Sequence, residues 1–473
     1  MAMDTWFERL SALDALFLEL EDRSSHMHVG AVALFEGPPP PYRDFLSLIE
    51  ARLTHVPRYR QRVLFVPGNV GRPVWIDETQ FDLEYHVRRT ALPAPGGEEE
   101  LKRQVGRLLS QALDREKPLW EMWLVEGLGD GRFAVVSKTH HCMLDGVAQM
   151  DLATVLMDPE PSSAPPPQPD PWNPRKAPQL AELLRTSLKE QLAHPLRFVR
   201  EALEPNSEAA KLLGEVFSGL KPLMDVFSMG LAPPSPLNVP IGPHRRFEML
   251  ELPLAEVKDV RAALGGTVND VLLAIVAGAL RSWLTARGQP PTADLRALVP
   301  VSMRSPKKRP RAGNQIAAIF CPLPLTEPRP LERLRKVREA MRGVKKSGQY
   351  MGAHALSRLG DFAPPTLLAQ AARLQFVTRV FNLLVTNVPG PQFPLYLLGR
   401  RMLSCHPQIP LAKEQALGIA LLSYDGRIGV GLVGDADAAR DLPELALALR
   451  SALTELRASA GAEGGADLAC APP

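Results

Sequence analysis

The sequence has few cysteines and little excess charge, and both shortages exclude classes of function. Four cysteines occur among 473 residues, at positions 142, 321, 405 and 470. They lie too far apart for a metal knuckle or a redox pair, so we expect no metal site of this kind and a reducing, cytoplasmic setting. Because 55 basic residues are set against 52 acidic ones, the formal net charge is only +3. Zinc-finger spacing and basic helices with interleaved aromatic residues are also missing, so we expect no nucleic-acid partner.

The sequence also lacks an apolar run long enough to cross a membrane. The best candidate, Val271 to Leu280, is bounded by Asp270 and Arg281, whereas a spanning helix needs about 20 residues. We therefore predict a buried core helix here and only peripheral contact with a membrane. The first ten residues have no apolar signal core, so we expect no secretion signal.

Proline, in contrast, is abundant, with 47 residues, and its distribution suggests how the chain is divided. A chain of this length favours two or three domains. Residues 1–158 alternate strand-like and helix-like segments and form the first predicted α/β domain. Residues 159–243 begin with a proline-rich stretch and continue as a helical crossover. Residues 244–457 form the second α/β domain, and the small, Gly- and Ala-rich tail 458–473 is predicted to be disordered.

The clearest local prediction is a β-hairpin that ends at two histidines. Trp120 to Leu128 and Arg132 to Thr139 are rich in strand-forming residues, and the intervening Gly-Asp-Gly is a strong turn signal. The second strand leads directly into His140 and His141. We also predict strands at Val29–Phe35, Leu295–Ser302 and Gln315–Pro322, and helices at Arg43–Leu53, Leu101–Leu113, 147–156 and 268–284.

The crossover carries leucines at helical spacing from Leu180 to Leu203, which predicts one apolar stripe. Its polar face mixes acidic and basic residues, whereas a helix that seeks anionic lipid would carry an excess of Lys and Arg. We therefore expect the stripe to pack against the protein, with membrane contact as the alternative.

The histidine pair suits general base catalysis better than metal binding. Side chains alternate along a strand, so His140 and His141 point to opposite faces and would not converge on one ion. A neutral imidazole with a pKa of about 6.5 is suited to take a proton from a weakly nucleophilic hydroxyl near pH 7. Asp145 stands where a helix would begin, and the positive end of that helix would favour the neutral imidazole. The alternative is that both histidines are ordinary polar residues with no catalytic role.

The run His140-His141-x-x-x-Asp145-Gly146 resembles the signature of the bacterial wax ester synthase/diacylglycerol acyltransferases. This family belongs to the superfamily of chloramphenicol acetyltransferase, peptide-synthetase condensation domains and plant alcohol acyltransferases. The resemblance covers about residues 3–455 in order. The other matching blocks are Leu13–Leu18, Met27–Gly30, Pro118-Leu119-Trp120, Asn269-Asp270, Pro300–Arg304, Gly313-Asn314 and Asn387–Pro391.

The resemblance implies two chloramphenicol-acetyltransferase-like α/β domains with mixed sheets, joined by the crossover, with a substrate channel between them. It assigns His141 as the base, His140 as support, and Asp145, next to Gly146, as a structural anchor. Arg304 is the candidate partner of Asp145 by analogy with the plant relatives.

The implied reaction transfers an acyl group from acyl-CoA to diacylglycerol, without a metal or other cofactor. A long-chain fatty alcohol is the alternative acceptor. An amide-forming condensation enzyme and a non-catalytic lipid-binding protein are remoter alternatives. We expect the protein at the inner face of the membrane or on lipid droplets, held peripherally.

Four further features have two possible interpretations. Cys142 lies beside the base, but a thioester donor does not require a cysteine nucleophile. Asn269 and Asp270 either begin a helix with a favourable charge or hold the second domain against the channel. Trp120 and the block Asn387–Pro391 are more typical of residues that line a core or channel than of residues that recognise substrate. The last is a basic cluster, which is either a solvated loop or a site for coenzyme A phosphates or anionic lipid: Arg304, Lys307, Lys308, Arg309 and Arg311.

Overall fold

The computed structural model describes residues 7–143, 155–162, 171–189, 230–302, 316–347 and 380–469. The strands, numbered in chain order, are β1 (Glu8–Arg9), β2 (His28–Phe35), β3 (Gln61–Leu64), β4 (Val74–Asp77), β5 (Val87–Ala91), β6 (Trp120–Glu126), β7 (Phe133–His140), β8 (Arg245–Pro253), β9 (Leu295–Ser302), β10 (Ile316–Leu323), β11 (Leu383–Pro389), β12 (Tyr396–Leu397), β13 (Arg400–Gln408), β14 (Leu417–Tyr424) and β15 (Arg427–Asp435). The α-helices with defined bounds are Ala12–Leu20, Tyr42–Arg52, Leu83–His86, Glu98–Leu109, Leu254–Leu264, Val268–Ala286, Pro330–Ser347 and Leu442–Ala469.

Two six-stranded mixed sheets organise the described residues, as the predicted fold class requires. The first sheet has the order β12-β13-β2-β7-β6-β5, and β5 is parallel to β6 while the other pairs are antiparallel. The second has the order β10-β9-β11-β14-β15-β8, and β11 is parallel to both of its neighbours. The hairpin β6–β7 forms in the predicted place, with Trp120 opposite Thr139.

The apolar run after Asp270 lies in a core helix, as predicted. Every residue from Val271 to Leu280 of the helix Val268–Ala286 is buried, in the cluster that fills the second sheet's helical side. This helix is long and apolar enough to cross a membrane by length and composition, and most of it is buried inside the protein.

The first sheet takes two strands from the C-terminal half of the chain. β13 pairs with β2 over a register that places Gln408 opposite Gly30, and β12 extends the same edge. Close contact with β15 requires glycine, because a Cβ at Gly429 would lie 1.9 Å from the Cys405 carbonyl oxygen. The residues of β12 and β13, which we assigned to the second domain by sequence position, therefore complete the sheet of the first.

Within the crossover, residues 180–189 are helical, but the buried side of this segment differs from the predicted leucine stripe. Leu180 and Leu188 are 57% and 49% exposed, whereas Leu183 and Ser187 are buried. Leu183 packs into a small cluster under the three-stranded sheet β1-β4-β3, and the Ser187 hydroxyl accepts a hydrogen bond from Arg9. This three-stranded sheet was not predicted, and contact with it determines which face of the helical segment is buried. The crossover residues 190–229 lie outside the described residues.

The predicted disordered tail is wrong for residues 458–469, because the last helix, Leu442–Ala469, continues through them. Alanine and glutamate are good helix formers, and they outweigh the glycines that suggested disorder. The apolar side of this helix is anchored earlier, where Leu445, Leu449 and Leu453 are buried in the second core.

Candidate active site

His140 and His141 occupy the junction between strand β7 and a short 3-10 turn, His141–Met143. Their main-chain N–H groups are fixed from two sides. That of His140 donates to the Leu119 carbonyl oxygen at 2.9 Å, and that of His141 donates to the Met27 carbonyl oxygen at 2.8 Å. Three blocks that are far apart in the sequence therefore meet at this turn.

The ring of His141 is partly buried and stacks on Phe17 of the first helix, with the ring centroids 4.0 Å apart. Burial lowers the pKa of His141 to about 4, because a charged imidazolium is poorly solvated there. Its Nδ1 makes no hydrogen bond to any described residue. The neutral form is thus favoured near pH 7 by burial, while the same lowered pKa makes this imidazole a weaker proton acceptor than a free one. The helix that we predicted after Asp145 lies outside the described residues.

His140 has different surroundings and a different role. It is fully buried, its Nδ1 accepts a hydrogen bond from the Cys142 N–H at 3.2 Å, and its Nε2 lies 3.7 Å from Glu21 Oε2. Burial, followed by the positive charge of Arg115, lowers its pKa to about 3. The acceptor nitrogen of His140 therefore fixes the turn, and its role as support for His141 stays a prediction.

Cys142 is a poor nucleophile in this position. The side chain is buried, and desolvation raises the pKa of its thiol well above the usual range. A protonated, buried thiol does not attack a thioester readily. The structure thus favours the interpretation in which Cys142 only fills space behind the turn.

The Pro-Leu-Trp block lies in the core. Leu119 and Trp120 are buried, the Trp120 indole N–H donates to the Tyr59 carbonyl oxygen at 2.8 Å, and its ring stacks on His86 at 4.7 Å. With its polar atom and its face both occupied, Trp120 stabilises the sheet next to the histidines.

Asn269 and Asp270 have separate roles. Thr267 is the N-cap of the core helix, and Asp270 completes a capping box with it, since Asp270 Oδ2 accepts the Thr267 N–H at 2.8 Å. Asn269 Oδ1 accepts a hydrogen bond from Asn387 Nδ2 at 3.2 Å. Two blocks that the sequence showed separately therefore join the core helix to strand β11.

Several predicted residues lie outside the described part of the chain: Asp145, Gly146, Arg304, Lys307, Lys308, Arg309 and Arg311. The pairing of Asp145 with Arg304 and the role of the basic cluster remain predictions. Within the described ranges, no group of three or more His, Cys, Asp or Glu side chains is arranged to hold a metal ion.

Three residues at the site escaped the sequence analysis as individuals: Phe17, Glu21 and Arg115. Phe17 and Glu21 are four residues apart at the end of the first helix, a spacing that places them on one side. Arg115 comes shortly before the Pro-Leu-Trp block. No motif spacing connects Arg115 to Glu21, which is 94 residues away.

The two-lobed architecture is that of known acyltransferases and condensation domains. A wax ester synthase/diacylglycerol acyltransferase from Marinobacter aquaeolei VT8 superposes with a TM-score of 0.66 at 29% identity, over 96% of this chain and all of that one. The first condensation domain of the calcium-dependent antibiotic synthetase superposes with a TM-score of 0.59 at 18% identity, over 96% of both chains. At 18% identity, the match to the condensation domain shows only a shared fold.

The sequence comparisons define the family. Residues 10–272 match the wax ester synthase/diacylglycerol acyltransferase catalytic domain, and residues 312–457 match the C-terminal domain of the same proteins. Two proteins of Mycobacterium tuberculosis, each named a probable diacylglycerol O-acyltransferase, are 34% identical to this chain. The alignments cover 94% of this chain and 95% of the first relative, and 95% and 98% for the second. The chain belongs to the wax ester synthase/diacylglycerol acyltransferase family.

Proposed function

We propose that this protein is an O-acyltransferase that moves a long-chain acyl group from acyl-CoA to the free hydroxyl of diacylglycerol, forming triacylglycerol. The observation that carries the proposal is the imidazole of His141, stacked on Phe17 and held by a turn whose backbone is fixed on both sides. The names of the mycobacterial relatives support diacylglycerol as the acceptor.

In this reaction the hydroxyl oxygen attacks the thioester carbon while His141 takes its proton. A tetrahedral oxyanion forms, the carbon–sulfur bond breaks, and the thiolate leaves. An imidazolium with a pKa of about 4 is a much stronger acid than a thiol with a pKa of about 8.5, so His141 returns the proton to sulfur readily. Each turnover therefore leaves His141 neutral again.

The test is acceptor-dependent release of free thiol from palmitoyl-CoA by the full chain. A general base typically contributes roughly a hundred- to ten-thousand-fold, so His141→Ala should lower kcat by that order. Cys142→Ala is the matched control, because it changes the next residue of the same turn and should keep most of the rate. Comparable rates in wild type and His141→Ala would show that His141 is not the general base. Binding of acyl-CoA without thiol release would instead favour a lipid-binding protein.

A fatty alcohol is the second candidate acceptor, since the family includes wax ester synthases and the Marinobacter relative carries both names. Diacylglycerol and hexadecanol should be compared in the same assay at matched concentrations. We expect the higher kcat/KM with diacylglycerol; a higher value with hexadecanol would make this chain primarily a wax ester synthase.

We further propose that the reaction needs no metal or other cofactor and that the protein works while attached peripherally to a membrane or lipid droplet. The lipophilic acceptor requires access to such a surface. Activity should survive extensive dialysis against a chelator, and the chain should sediment with diacylglycerol-containing vesicles and be released by mild washing. Loss of activity that zinc or magnesium restores, or release only by detergent, would contradict these two points.

A further inference from the structure

An ion pair between a buried carboxylate and a partly exposed guanidinium lies behind the histidine turn. Glu21 follows the first helix directly, and its side chain is 6% exposed. Its Oε2 accepts hydrogen bonds from Arg115 Nε at 3.0 Å and Nη2 at 2.7 Å. Arg115 also donates to the Leu18 carbonyl oxygen at 2.7 Å, so it holds the end of the helix as well as the carboxylate.

The turn depends on one protonation state of His140. Neutral histidine has one donor and one acceptor nitrogen. Because Nδ1 accepts the Cys142 N–H, the proton belongs on Nε2, which faces Glu21 at 3.7 Å. A charged His140 would carry protons on both nitrogens, and the bond to the Cys142 N–H would be lost.

Glu21 is also connected to the base through the main chain. Its Oε1 accepts the Met27 N–H at 3.4 Å, and the Met27 carbonyl oxygen accepts the N–H of His141 at 2.8 Å. The carboxylate thus reaches both sides of the catalytic turn.

Several other ionisable groups lie near His140. His28 lies opposite on β2, Lys138 is two residues earlier on β7 and is paired with Glu121 at 3.1 Å, and His141 follows it. In the next layer, His26 and Arg245 act on His28, and Asp14 acts on Cys142. If the Arg115 charge were removed, Glu21 would be a buried, unpaired carboxylate beside His140 and would favour the imidazolium.

We propose that Arg115 is a positioning residue for the acyl transfer: by pairing with Glu21 it adds to the effect of burial in keeping His140 neutral, so that His140 can hold the turn that presents His141. The inference builds on the proposed function for its kinetic consequence. The protonation of His140 can nevertheless be measured without any substrate.

The experiment compares four variants with wild type by the midpoint of the acid limb, the pH at which kcat falls to half of its value at pH 7.5. Arg115→Met should move this midpoint upward. Glu21→Gln combined with Arg115→Met should move it back, because the unpaired charge is gone. Glu21→Gln alone should keep the wild-type acid limb. Arg89→Met is the matched control, since Arg89 also pairs with a glutamate, Glu126 at 2.7 Å, but at the surface.

A second measurement uses ¹⁵N-histidine spectra, with the His140 signals assigned by their loss in His140→Asn. At pH 4 the wild type should show mostly neutral His140 with the proton on Nε2, and Arg115→Met should show a clearly larger fraction of imidazolium. An unchanged imidazolium fraction in Arg115→Met, or an acid limb that the double variant does not restore, would overturn the proposal. Absence of thiol release in wild type would refute the proposed function but leave the spectroscopic result to decide this one.

Discussion

The two six-stranded sheets have unlike interiors. The first buries ionisable groups along its strands, including His28, His140 and the pair Lys138–Glu121. The second also buries charged groups, Arg245 and Glu248 on β8 and Asp435 on β15, but its described strands carry no histidine, and an apolar cluster packs it against the helix Val268–Ala286. A buried histidine takes up a proton at a cost, so acid should affect the first sheet more than the second. We propose that the chemistry takes place at the first sheet and that the second sheet is the frame that holds it.

The largest expected effect is acid destabilisation that comes from the first sheet. Burial lowers the pKa of His86 and His141 to about 4 and of His140 to about 3. The unfolded chain therefore binds protons below about pH 6.5 that the folded chain rejects, and the stability present above that pH is lost as the pH falls toward 4. Each such histidine contributes about 1.4 kcal/mol per pH unit within this window.

The measurement is urea unfolding at pH 7, 6, 5 and 4.5, with His86→Phe as the comparison. Phenylalanine can keep the stacking on Trp120, in which the rings lie 4.7 Å apart, but it binds no proton. We expect a lower stability at pH 7, because the Trp120 carbonyl loses its partner, and a shallower slope with pH. An unchanged slope would mean that folding does not lower the pKa of His86.

The next effect concerns the buried pair in the first sheet. Glu121→Ala leaves Lys138 with a charge that is 1% exposed and has lost its carboxylate partner, although Lys138 still donates to the Leu108 and Gln111 carbonyls. Breaking such a pair typically costs about 3–5 kcal/mol. Chemical denaturation at pH 7 measures it. Glu126→Ala, which removes the partner of exposed Arg89, is the control and should change stability far less; equal losses would show that burial does not matter here.

The second sheet should respond to lost volume instead of lost charge. Leu280 is fully buried in the core helix, and Leu280→Ala should lower the free energy of unfolding by about 2–5 kcal/mol. Because no titratable group is removed, the loss should be the same at pH 7 and pH 5. A loss that grows as the pH falls would show that the two sheets are electrostatically coupled, and would weaken the division between them.

How much the sequence revealed depends on the range of the interaction. The helix around Val271–Leu280 and the hairpin before His140 were predictable, because periodicity and turn residues are local signals. The place of β13 beside β2 was not, because it depends on pairing across more than 370 residues of chain, as between Cys405 and Ala33. Glu21 and Arg115 are likewise 94 residues apart. His141 was found because its motif is contiguous, while the residues that hold it are dispersed.

The smallest expected effect tests whether Asn269 and Asp270 act in the frame or in the chemistry. Asp270→Ala removes one half of the capping box with Thr267 and should cost about 1 kcal/mol of stability, the usual loss for a helix cap. Asn269→Ala removes the link to Asn387 and leaves the cap intact. If both residues serve the frame, kcat per folded molecule stays at the wild-type value in each variant. A fall in kcat with Asn269→Ala but not with Asp270→Ala would instead assign the Asn269–Asn387 contact to the substrate channel, and the second sheet would then contribute to the reaction itself.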